Sequence, residues 1–155
     1  SHATIFINAL IGIIIISVTV TGQLGSLTPE SDPLRRVRGW QALSADLEKQ
    51  IDINNARTII ADRRATAAIL KWYFYKDPVQ ITVYDSDNHP GNHFELKFSY
   101  NAVSPSPIIA LSQTQRIPSI AGVEWTGLAG TSNHKIAKNR YRKYYFYLGE
   151  NALNK

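Results

Sequence analysis

The chain contains no cysteine and no methionine among its 155 residues. Without thiols there are no disulfides, no thiolate zinc sites and no cysteine nucleophile, and the redox compartment stays open. Histidine is scarce: His2, His89, His93 and His134 fall at no spacing of a known metal motif. Neither a glycine-rich dinucleotide fingerprint, a P-loop nor a G-x-S-x-G elbow occurs, and no Ser-His-Asp set can be nominated. Internal repeats are missing as well. Acid is lacking between Glu124 and Glu150, although the net charge is only +5. These absences leave no complete active site.

What is there begins with Ala3 to Thr21, ATIFINALIGIIIISVTVT, an uncharged run rich in isoleucine. At about 1.5 Å per residue a helix of that length approaches the roughly 30 Å hydrocarbon core of a bilayer. Residues 1–21 are therefore expected to form an apolar, transmembrane-like helix. A buried soluble element competes, because Ile16, Val18 and Val20 alternate with Ser17, Thr19 and Thr21 at the period of a strand. A cleavable signal peptide lacks its preceding basic region, and Ser1-His2 reads as a cloning remnant. With no initiator methionine, the chain reads as a fragment and the run as the last span of a larger membrane protein.

Residues 22–38 have linker composition, with GQLGSLTPESDP at their start. Residues 39–155 are enough for one soluble domain with its own core. Trp40, Leu43, Leu47 and Ile51 fall on one helical face, and Asn54-Asn55 closes that helix. RTIIA (57–61) reads as a strand, Asp62 as the cap of a helix through Tyr73 with Ala65, Ile69, Trp72 and Tyr73 buried, and VQITVY (79–84) as the next strand. The unit is βαβ, so a parallel pair is expected. Phe94, Leu96 and Phe98 alternate as in a half-exposed strand, Pro107 to Leu111 is a further strand, and Thr114 to Ile120 a short helix or turn. Val123 to Leu128 is an ambiguous strand, Gly127 to Asn139 reads as a mobile loop, and Tyr141 to Leu148 as an edge strand. The fold class is α/β: a small mixed sheet with a parallel βαβ core and flanking helices, preceded by the apolar helix.

Three clusters carry candidate chemistry. Asp62, Arg63 and Arg64 lie where a strand ends and a helix begins, a place where free N–H groups and the helix dipole favour anions and where arginines grip phosphate in a fork. Capping and surface charge explain the same residues without a ligand. Lys135, Lys138, Arg140, Arg142 and Lys143, followed by tyrosines, suit a lipid headgroup, a phosphorylated ligand or nucleic acid. Nucleic acid is the least expected partner for a tethered domain, and a solvated loop is the plain alternative. Asp85 and Asp87 form a D-x-D pair of the kind that holds a divalent cation, which His89 and His93 could extend. Their neighbours are turn formers, so a polar loop explains them equally well.

Taken together, SDPLRRVRGWQALSADLEK, RTIIADRRATAAILKWYFY and VQITVYDSDNHPGNHFEL resemble the soluble C-terminal part of bacterial family-39 membrane glycosyltransferases, the dolichyl-phosphate-mannose protein mannosyltransferase-like enzymes. The matching positions are Asp32-Pro33, Gly39-Trp40, Asp62-Arg63, Trp72-Tyr73, and Asn92 with Phe94; PIIALS and YFYLGE resemble its closing strands more loosely. The resemblance implies transfer of a sugar from a polyprenyl-phosphate carrier to a lipid or protein acceptor outside the cytoplasm. The family's catalytic acid lies in an early loop with no counterpart here. This chain would then be an accessory domain, inactive alone, with the rest of the transferase as partner, no cofactor of its own and a divalent metal expected, if anywhere, in the full-length enzyme. Arg35, Arg36 and Arg38 near the apolar run pull toward the cytoplasmic side, but earlier spans of a polytopic protein can overrule them, and a periplasmic location is expected. The alternative is a membrane-anchored module for anionic lipid or another polyanion.

Overall fold

The computed structural model describes residues 2–21, 36–84, 91, 93–101 and 103–152. The chain divides into two compact units, Ser1–Arg38 with Lys135–Tyr141, and Gly39–His134 with Arg142–Lys155.

In the first unit, α1 (His2–Thr21) is helical throughout. The strand-like alternation at its end does not break it, since nothing there is paired as a strand. Ile13, Ile14, Ile15 and Ile16 are all largely exposed, and at about 100° per residue four successive isoleucines cover every side of a helix. Its described side chains, residues 3–17, extend about 22 Å at the helical rise. Among the described residues no helix is long and apolar enough to cross a membrane. Elsewhere in this unit the Arg38 guanidinium donates to the Ile136 carbonyl at 3.4 Å.

The second unit is built on a five-stranded mixed sheet. The elements in chain order are α2 (Trp40–Asn54), β1 (Thr58–Ala61), α3 (Arg64–Tyr73), β2 (Gln80–Val83), α4 (His93–Phe98), β3 (Ile108–Ser112), β4 (Val123–Ala137) and β5 (Arg140–Asn151), the end of β4 from Lys135 and the start of β5 to Tyr141 counting with the first unit. The strand order is β2-β1-β3-β5-β4. β1 pairs in parallel with both β2 and β3, with Ile59 opposite Ile81 on one side and Ile109 on the other. β5 lies antiparallel to β3, Leu111 facing Phe146.

Alternation along these strands feeds two cores. Ile59, Ala61, Ile81, Val83, Ile109, Leu111 and Phe146 pack under Leu43 and Leu47 of α2 and Leu70 of α3. Ile60, Ile108 and Ala110 point the other way, against Tyr100 and Ile120. Burial on both faces explains why the parallel strands are apolar without a break. α2 begins after Gly39 at φ 77 and ends at Asn55 in the left-handed region at φ 49, so the expected Asn-Asn stop holds. Gly149 sits where β4 comes close: a Cβ there would lie 2.7 Å from the Val123 side chain and 3.0 Å from the Glu124 carbonyl.

Four expectations are corrected. Asp62 does not cap α3; Arg63 holds the N-cap position in extended conformation with no side-chain cap. α3 buries Thr66, Ala67 and Leu70, followed by Phe74, while Trp72 stays 76% exposed. The sheet admits one helix face, and the slender one fits over β1 and β2. The span His93–Phe98 is α4 rather than a strand: the Glu95 carboxylate accepts the Gly91 N–H at 2.7 Å and the Ser99 hydroxyl donates to the Glu95 carbonyl at 2.5 Å, local bonds that a three-position alternation cannot outbid. Finally, the expected loop 127–139 is most of β4, which pushes β5 inward from the sheet edge. Thr114 to Ile120 forms bends with no helix.

Candidate anion-binding site

The order β2-β1-β3 means that the chain leaves β1 toward one side and later returns to its other side. The carboxyl ends of β1 and β3 therefore border a topological switch point, where open α/β sheets place their ligands. Asp62 follows β1 and Gln113 follows β3, and the Gln113 amide donates to the Asp62 carboxylate at 2.8 Å. The same amide nitrogen donates to the Tyr144 hydroxyl at 2.9 Å. That hydroxyl lies 3.2 Å from the hydroxyl of Thr66, in the first turn of α3. Tyr144 accepts from Gln113, and either hydroxyl can donate in its bond with Thr66. Thr66 and Tyr144 are buried at 1% and 3% exposure, while Asp62 and Gln113 carry the network to the surface.

Cations stand above it. The Arg63 Nε donates to Asp62 at 3.1 Å, and Arg64 opens α3 in an exposed position. Arg142 lies with its guanidinium 3.7 Å from the centre of the Trp40 ring, and Trp40 meets Tyr144 at a ring distance of 6.3 Å. Burial lowers the Arg142 pKa; the charge of Arg63 adds to this and the Tyr144 hydroxyl opposes it. Arg63 and Arg142 thus feel one another, and an anion between them relieves that repulsion. The uncapped start of α3 adds free N–H groups and the positive end of its dipole. Arginine forks, amide donors and an uncapped helix can bind phosphate or carboxylate; they include no nucleophile and base in hydrogen-bonded register.

Of the residues expected from sequence, Asp62, Arg63 and Arg142 meet at this crevice and Arg64 borders it. Lys135, Lys138 and Arg140 belong to the first unit, while Arg142 and Lys143 belong to the second. Lys143 projects from the opposite side of β5 to Arg142, its ammonium 4.9 Å from the Tyr145 ring. Asp85, Asp87 and His89 lie outside the described residues. Among the described residues no group of three or more His, Asp or Glu could hold a metal ion. Sequence reasoning missed Gln113, Tyr144, Thr66 and Trp40. Gln113 had a signal, a polar side chain one residue beyond an apolar strand at the same end as Asp62.

Two further features lie away from the crevice. A cavity of about 580 Å³ opens at the amino ends of β1 and β2, walled by Phe74 and Val79 and rimmed by Glu48, Asp52, Asp77 and Arg57. On the outer part of α2, Asp46 accepts from His134 of β4 at 2.6 Å. Burial raises the Asp46 pKa, but the hydrogen bond from His134, the nearby polar side chain of Ser132 and the charges of His134 and Lys49 outweigh it and hold the carboxyl below its ordinary 3.8.

The fold and site define an α/β domain with an anion-favouring crevice at its switch point. No protein-family model matches the chain, and neither a curated protein nor a solved structure is significantly similar to it.

Proposed function

We propose that this chain is an extracytoplasmic accessory domain of a membrane glycosyltransferase, which moves a sugar from a polyprenyl-phosphate carrier to a lipid or protein acceptor. The domain binds the phosphate of the carrier or of a phosphorylated acceptor and supplies no catalytic group. The observation that carries this reading is the bond between Asp62 and Gln113 across the ends of β1 and β3, with Arg63 and Arg142 beside it. Arg63 is bonded to Asp62 at the uncapped start of α3 and its charge reaches Arg142, so a phosphate between them would gain arginine forks and free N–H groups. The motif resemblance supplies the class of reaction and its membrane setting.

The test uses the full-length transferase in membranes. Replacing Arg63 and Arg142 by alanine is expected to raise KM for the polyprenyl-phosphate sugar about tenfold or more with a smaller change in kcat, since charge-assisted bonds to phosphate act mainly in binding. Deleting residues 39–155 is expected to impair transfer. Transfer that is undiminished by both changes removes the proposed role.

A further inference from the structure

The cavity of about 580 Å³ beside Arg57 lies wholly within the second unit, at the opposite end of β1 from the crevice. α2 and α3 end beside it, and β1 and β2 begin there. Its volume falls in the range of sites for small organic molecules, about 300–1,000 Å³. Part of its lining is apolar: Phe74, itself only 6% exposed, with Ile51, Pro78 and Val79. Such a surface accepts the hydrocarbon part of a ligand.

The polar part of the lining is mostly acidic, in a chain whose net charge is +5. Glu48 and Asp52 come from α2 and Asp77 from the segment between α3 and β2. Neither these carboxylates nor the Arg57 guanidinium, which lines the same space, enters an ion pair among the described residues. Asp52 stands in the last turn of α2, which holds no basic residue, so its charge adds to the negative end of the helix dipole instead of offsetting it. That placement costs stability, and a bound cation removes the penalty. Spacing decides which cation. Among the described residues no three His, Asp or Glu stand close enough to hold a metal ion, so these carboxylates do not converge on a point charge. Acids from two elements with apolar side chains between them suit an extended cation, its charges apart and its carbons on Phe74 and Val79.

We propose that this cavity binds a small aliphatic polyamine, with one ammonium group at Glu48 and Asp52 of α2, another at Asp77, and the methylene chain against Phe74 and Val79. Arg57 weakens the negative potential without cancelling it, one guanidinium against three carboxylates. The site goes beyond the function proposed above and does not rest on it. The crevice is probed with an anion and the cavity with a cation, so the two readings fail separately.

The test is titration of the isotope-labelled full chain with hexamethylenediamine at low salt, read from the amide resonances of Asn55, Ala56 and Val79. Saturable shifts with a Kd of about 1 mM or below are expected. Hexylamine, with the same carbons and one ammonium, is expected to bind about tenfold more weakly, because it makes fewer charge-assisted bonds. Asp52→Asn with Asp77→Asn, both at exposed positions, is expected to weaken the diamine about tenfold or more. The thermal midpoint of Asp52→Asn alone is expected to stay level or rise, since a charge opposed to the dipole is removed, so lost binding is not lost folding. Arg57→Ala is expected to tighten the diamine about threefold by removing a like charge. The absence of saturable shifts up to about 10 mM diamine overturns the proposal. So does an affinity unchanged in the double aspartate variant, or an equal response to magnesium chloride, which marks a general counterion effect.

Discussion

β1 begins and ends in opposite environments. At its amino end Arg57 and Ala56 border a cavity of about 580 Å³ with Glu48, Asp52 and Asp77 on its wall. The last residues of α2 and the turn after α3 face the same space, so the negative ends of two helix dipoles add to three carboxylates. At its carboxyl end β1 stops at Asp62, where the start of α3, Arg63 and Arg142 concentrate positive potential around a fixed polar network. The void is thus lined by acids, whereas the crevice gathers cations and free N–H groups. Volume reports where side chains fail to meet; the charged and polar groups around it report which ligand can be read. The difference follows from the parallel βαβ order, which puts the start of α3 at one end of the sheet and its stop at the other.

The largest expected effect tests whether one core carries both ends. Phe146 is fully buried between α2, α3 and the sheet, and Phe146→Ala should cost about 3–5 kcal/mol in urea unfolding. A loss below about 1 kcal/mol would mean that the two ends rest on separate supports. Next comes the comparison itself. Calorimetric titration of the full chain with pyrophosphate should weaken about tenfold or more for Arg63→Ala with Arg142→Ala, and stay unchanged for Arg57→Ala. The reverse pattern would move the site to the cavity. A smaller effect is expected for Gln113→Ala, which leaves the buried Tyr144 hydroxyl without its donor and should cost about 1 kcal/mol; a neutral result would show that water replaces the amide.

The smallest effect lies away from both ends. The Asp46 pKa is lower in the folded chain than its ordinary 3.8, so its contribution is complete above the unfolded value and disappears as pH falls through the folded one. For a partly exposed pair this amounts to under about 1 kcal/mol. Asp46→Asn should flatten the stability profile below about pH 4 and leave pyrophosphate binding untouched. A profile that stays as steep would assign the acid loss to other carboxylates.

Much of the scaffold was legible because it is local. Trp40, Leu43 and Leu47 mark α2 by spacing, RTIIA and VQITVY mark two buried strands, and Asp62-Arg63 at a strand-helix junction marks one half of the crevice. The other half was hidden by distance along the chain. Gln113 and Tyr144 lie far from Asp62 in sequence and join it only because β3 falls beside β1 and β5 beside β3. The glycine and serine content of β4 concealed a strand for a related reason. Gly130 allows Gln50 of α2 to approach, a Cβ there coming within 3.0 Å of that side chain, and Ser132 and His134 turn toward α2 where an apolar pattern was sought.

The two apolar faces of α3 separate what each level decides. Sequence by itself determined that the segment is a helix and that it is amphipathic, with Ala65, Ile69, Trp72 and Tyr73 read as its inner face, because side-chain spacing is a local property. Which side is buried was decided by tertiary structure alone. The sheet under α3 offers room for Ala67 and Leu70 but not for an indole, so close packing turns Trp72 outward. The same order of strands that makes this choice also brings Asp62, Gln113, Tyr144 and Arg142 to one point, which no spacing along the chain records.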